Sequence, residues 1–170
     1  MSEVSFTRDI ACGSDRIREL LLNREFLTQF VKLKHPVEYD VSVNDDESSS
    51  TTVWVVLTEG APGIVRRLIG DTIPMRLIIR FQGNTPDQDG SVFVVLEGKV
   101  KGRLQGSLSM QSIGQHAAQT AIAVRGPLNV DAGLVSGKAS NMARDHMILP
   151  LLIELTDLLD EWCAGPPAQL

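Results

Sequence analysis

The sequence predicts an α+β fold: a seven-stranded antiparallel sheet, two short helices after the first strand, and one long C-terminal helix. Three observations carry this. Segments of period-two alternation recur from Val4 to Arg125, the mark of half-buried strands. The turns between successive strands are too short for parallel crossovers, so neighbours run antiparallel. The last segment, from about Leu134 to Trp162, carries helical periodicity. A chain of 170 residues fits one domain spanning 1–170, and 164–170 is expected to be a disordered tail.

Val4, Phe6 and Ile10 alternate with Ser5, Thr7 and Asp9 to make the first strand, whose apolar face Arg8 breaks. Gly13-Ser14-Asp15 offers a cap to a helix carrying Ile17, Leu20 and Leu21, and Asn23 caps a second with Phe26, Leu27, Phe30 and Val31. Pro36 pushes His35 out of the right-handed helical region, and Val37, Tyr39, Val41 and Val43 resume alternation as strand two. The acidic stretch 45–50 reads as a hairpin loop, since it lacks the glycine and closing glutamate of a calcium loop.

Thr51 to Thr58 reads as a central strand with Trp54 on one side, 64–69 as a helical turn, and Met75, Leu77, Ile79 and Phe81 as the next strand. From Val92 to Met110 every even position is apolar or glycine. That run is too long for one strand, and preserved parity requires a hairpin loop of odd length, read as three residues centred near Gly102. Lys99, Lys101 and Arg103 then fall at the hairpin tip, a solvated turn or a partner-binding edge. Residues 83–90 and 112–115 read as turns, and Ala117 to Arg125 as the last strand, closed by Gly126-Pro127.

Composition removes several classes of function. A net charge of −5 argues against nucleic-acid binding, which rests on clustered Lys and Arg. No apolar run reaches the roughly 18 residues of a membrane span, so stable membrane insertion is not expected. Cys12 and Cys163 lie near opposite ends without Cys-x-x-Cys spacing, which supports neither a disulfide framework nor zinc; a reduced, cytoplasmic setting is the expectation.

The terminal helix raises a specific question. At about 100° per residue, the face centred on Leu155 holds Ile148, Leu151, Leu152, Leu158, Leu159 and Trp162. Extended backward, the same phase brings Gly137, Ser140, Asn141 and Arg144 inward. Pro150 weakens the extrapolation, because a proline inside a helix removes a hydrogen bond and kinks it; the alternative phase places Met142, His146 and Leu149 inward.

This order of elements resembles the helix-grip fold of the START, polyketide-cyclase and plant pollen-allergen superfamily, a curved seven-stranded sheet around a long C-terminal helix. The segment VRGPLNVDAGLVSGKASNMA is similar to a bacterial family of unknown function within it: Pro127, Gly137 and Lys138 match, and Ser140 stands where that family carries an acid. The resemblance implies a cavity between sheet and helix for a lipid, polyketide or other apolar ligand, and in some branches cyclase or dehydratase chemistry.

The residues agree with a small-molecule site in which an apolar sheet face bearing Phe6, Tyr39 and Trp54 is roofed by a helix with a few polar groups. The expected ligand-binding set is Phe6, Tyr39, Trp54, Gly137, Asn141, Arg144 and Ile148, with Gly137 permitting close approach and Asn141 and Arg144 supplying polar contacts. Binding on these terms needs about 300 Å³ or more, lined by Tyr39 and Arg144. Catalysis has two candidates, His146 and Tyr39, as acid or base. His35 and His116 read as surface or loop residues, and no metal-ligand spacing, nucleophile elbow or phosphate loop occurs, so neither metal nor cofactor is called for. The function predicted is binding, transport or sequestration of a hydrophobic small molecule. The alternatives are a cyclase or dehydratase, and a protein-interaction module with a filled interior.

Overall fold

The structure, a computed structural model, describes residues 1–44, 49–57, 67, 72–82, 89–113 and 119–164. The alternating segments form β1 (Ser2–Ile10), β2 (Glu38–Asn44), β3 (Ser50–Leu57), β4 (Ile73–Phe81), β5 (Gly90–Glu97), β6 (Lys101–Ile113) and β7 (Gln119–Asp131). They make one antiparallel sheet in the order β1-β7-β6-β5-β4-β3-β2, so the first strand pairs with the last and β2 is the other edge. Between β1 and β2 stand α1 (Ser14–Leu21) and α2 (Arg24–Lys32). Asn23 caps α2 by accepting from the Phe26 N–H at 3.0 Å, whereas α1 starts after Gly13 with no side-chain cap.

The even positions of β5 and β6 are buried as the alternation requires, as far as Met110. Their turn is Gly98–Val100, centred on Lys99 and not near Gly102. Gly102 lies instead within β6, where an added Cβ would sit 3.0 Å from a Leu96 methyl and 3.1 Å from Val130; the glycine serves packing, not turning. The last strand likewise does not close at Gly126-Pro127 but runs through it to Asp131. A Cβ on Gly126 would fall 2.3 Å from the Gln105 carbonyl oxygen, so here glycine lets two strands approach closely. The expected turns and loops at 45–48, 64–66, 68–69, 83–88 and 114–115, together with His116 and the tail from 165, lie outside the described residues.

The helix side of the sheet buries Val4, Ile10, Val53, Leu77, Val94, Leu104, Val124 and Leu128 against the helices, each large side chain contributing about 1.5–3 kcal/mol. Arg8 is the charged member of that face in β1, beside Val4, Phe6 and Ile10. It reaches the terminal helix, donating to Thr156 Oγ1 at 3.1 Å and Asp160 Oδ2 at 2.8 Å and pairing with Asp157, so the polar break in β1 is matched by a polar strip opposite.

That helix has three parts. After a 3-10 turn at Gly133–Val135 come α3 (Ser136–Ala143), a π-helical turn (Arg144–Ile148) and α4 (Leu149–Cys163). In the wide turn the Leu149 N–H donates to the Arg144 carbonyl, five residues back. Pro150 explains the widening: it has no N–H to offer the carbonyl of His146, four residues before it, and its ring would crowd that carbonyl. One inserted residue shifts the buried stripe by one position. Ala143 and Ser140 are fully buried, while Arg144 is half-buried and Asn141 exposed. Before the turn the stripe therefore passes through small residues, Ser140 among them, and neither phase read from the sequence allowed for the extra residue.

Cys12 and Cys163 form a disulfide, with Cα atoms 5.7 Å apart across 151 residues of sequence. This overturns the expectation of unpaired thiols. Spacing in sequence was the wrong guide, because the β1–α1 junction and the end of α4 meet in the fold.

Candidate functional site

Beneath α4 the interior is filled. Among the described residues, small voids of about 30 Å³ and 10 Å³ lie there, the first against Phe6, Leu108 and Leu155, the second against Phe30, Val53 and Leu77. Larger hollows of about 680 Å³ and 450 Å³ lie over the β5–β6 hairpin end and on the outer face of β1, β6 and β7, and a cleft of about 270 Å³ lies at one end of the molecule between the sheet and the terminal helix. Leu57 and Ile73, at the ends of β3 and β4, and Met75 supply the sheet wall; Met147, Pro150 and Leu151 supply the helix wall; Leu33, Lys34 and His35 close the third side. His146 and Glu154 complete the lining.

Two irregular backbone features build this cleft. The π-turn carries His146 and Met147 to its wall. On the opposite side α2 ends at Lys32, and His35 takes φ +50°, the left-handed position that glycine usually fills after a helix. Histidine tolerates that region better than most side chains, and among the described residues no other non-glycine has a positive φ. Each histidine is tied to a proline: His35 precedes Pro36, and His146 stands four residues before Pro150.

The charges at the cleft are partly matched. Lys34 pairs with Glu154 across the gap between the end of α2 and α4. Beside His146, Arg144 Nε donates to Asp145 Oδ1 at 2.8 Å, and this hydrogen bond, more than the neighbouring His146, holds the Asp145 carboxyl below the usual carboxylate range. Among the described residues no group of three or more His, Cys, Asp or Glu is arranged to hold a metal ion.

The expected site residues do not converge. Phe6 lines the larger of the two internal voids, and Ile148 is fully buried. Tyr39 is on edge strand β2, 44% exposed and outside the cleft. Trp54 lies opposite Asp40 and Arg76, alternate to the buried Val53 and Val55, so it faces away from the helix. Gly137 meets nothing within 4 Å at a Cβ position, which removes the close approach assigned to it. Asn141 accepts from the Ser2 hydroxyl, and Arg144 is engaged by Asp145. Ser140 is the inward polar group in their place, accepting from the Val130 N–H at 2.9 Å. Of the catalytic candidates, His146 alone lines the cleft.

Missed by the sequence reading were Lys34, His35, Leu57, Ile73, Met75 and Met147. The available signal was the pair of His–Pro relationships, each marking a forced helix irregularity. Two of the hairpin-tip cations are occupied locally: Lys101 Nζ donates to the Glu97 carbonyl at 3.1 Å, and the Arg103 guanidinium lies 5.2 Å from the Phe93 ring centre.

A curved antiparallel sheet wrapped on a C-terminal helix, with two helices after β1, is the helix-grip fold. Solved structures share it. A protein from Thermus thermophilus matches at TM-score 0.62 and 15% identity over 97% of this chain and 100% of its own. A START superfamily protein from Mycobacterium smegmatis matches at TM-score 0.55 and 14% identity, over 95% and 97% of the two chains. The Zhui aromatase/cyclase from a Streptomyces species matches at TM-score 0.55 and 14% identity, over 96% and 98%. No curated protein matches the chain by sequence. Residues 5–163 match the model of a family described as protein of unknown function, DUF2505, and the chain belongs to that family.

Proposed function

We propose that this protein binds a hydrophobic small molecule or lipid in the end cleft and holds it without covalent change, for transport or sequestration. The observation that carries the reading is the cleft itself: about 270 Å³, with an apolar sheet wall, a helix wall of Met147, Pro150 and Leu151, and polar groups at Lys34, His35, His146 and Glu154, as small-molecule sites combine the two. Its volume falls just below the range of about 300–1,000 Å³ of sites for drug-sized ligands and it is lined by neither Tyr39 nor Arg144, which favours a compact or short-chain ligand. Native mass spectrometry of the purified protein tests this. A co-purified apolar species displaced by His146→Trp, which fills the cleft, supports it; a bare chain that takes up no apolar probe opposes it.

The position of His146 on the cleft wall supports a second reading, a cyclase or dehydratase with His146 as acid or base. With a substrate in hand, His146→Ala abolishes turnover on this reading; retained turnover excludes that base.

No described helix is long and apolar enough to cross a membrane, and a cytoplasmic setting is part of this proposal. Disulfides are rare in that compartment, so the Cys12–Cys163 pair makes the setting measurable. Acid-quenched thiol titration of protein taken from cells gives two free thiols in a reducing compartment and none in an oxidising one.

A further inference from the structure

Resting on the cleft as a small-molecule site, we infer that its ligand is an amphipathic anion, a carboxylate whose head sits at His35 and His146 and whose apolar tail reaches toward Ile73, Met75 and Leu151. Both imidazoles are exposed at the cleft, where they can donate N–H groups to a carboxylate. The acid on the lining, Glu154, is paired with Lys34, and the nearest acid in sequence to His146, Asp145, is held by Arg144. Leu57, Ile73 and Met75 on the sheet wall add no charge. Within a chain of net charge −5, this mouth therefore presents donors with its own acids already matched. The two histidines stand on two irregular backbone features of the described residues, the left-handed residue at 35 and the π-turn. Strained or irregular backbone persists where the surrounding structure over-determines it, and such places cluster at ligand sites.

The apolar depth and donor-bearing mouth select a tail and a head together. A neutral molecule of equal length gains the tail contacts alone.

Calorimetry with octanoate and 1-octanol, at a pH where octanoate is ionised, separates the two contributions. The expected result is that octanoate binds about tenfold or more tightly than octanol, the size of one charge-assisted hydrogen bond. His35→Gly combined with His146→Met removes both side-chain donors and with them that advantage, and leaves octanol binding within about twofold, glycine being at ease in the left-handed position. The single variant His146→Met, on an exposed side chain, gives about half the effect in free energy and serves if the double variant loses its native circular dichroism. Equal binding of the two probes, or equal weakening of both in the variants, overturns the head-group assignment while leaving the cleft as an apolar site. Binding of neither probe overturns both readings.

Discussion

Ala143 and Ile148 stand five residues apart, yet they are successive fully buried contacts on one face of the terminal helix. That spacing is possible because the turn between them is π-helical, and it determines which side chains meet the sheet and which meet the cleft. Everything N-terminal to it is rotated by one residue relative to the straight helix implied by the leucines beyond Pro150.

The register can be tested by stability. Ala143→Leu overpacks a closed site where α3 lies on β7 and β1 and is expected to cost about 1–3 kcal/mol. Arg144→Leu, on a half-buried side chain, should change stability by about 0.5 kcal/mol or less. Denaturant unfolding of the two variants reads the difference directly. The reverse order of costs would mean that the stripe runs straight through the turn.

Reduction of the Cys12–Cys163 bond, or the pair Cys12→Ser and Cys163→Ser, releases the end of α4 from the β1–α1 junction. Loss of a cross-link over so long a loop is expected to cost about 2–5 kcal/mol, a fall of roughly 5–15 °C in Tm for a domain of this size. Differential scanning calorimetry with and without reductant checks it, and an unchanged Tm would show that α4 is held by packing alone.

Arg144 lowers the Asp145 carboxyl pKa in the folded protein. A carboxylate depressed on folding contributes stability above its ordinary pKa near 3.8, and this is lost as pH falls through the lower folded value. Carbon-13 NMR titration should give an Asp145 midpoint below 3.8, moving upward in Arg144→Gln. A midpoint unaffected by that substitution would contradict the pairing.

Much of the fold was legible because alternation is a local signal with a long-range meaning. The parity from Val92 to Met110 dictated an odd turn before any contact was known, and Asn23 announced the start of α2. Gly102 and Gly126 misled because glycine serves both turning and close approach, and only the neighbours Leu96, Val130 and Gln105 distinguish the two. Trp54 misled because β3 is apolar on both faces, so alternation gave no side. The site was less legible still. Asn141 and Arg144 were placed inward by counting through a turn whose width depends on Pro150, and Lys34 and His35 join the cleft through a helix end far from it in sequence.

If an apolar ligand enters at the end cleft and not beneath the middle of α4, methyl NMR during titration with 1-octanol shows it most directly. Saturable shifts are expected at Ile73, Met75, Met147 and Leu151, with Leu108 and Leu155 unmoved. Shifts centred on Leu108 and Leu155, or none at any of these methyls, would contradict a ligand site in the cleft.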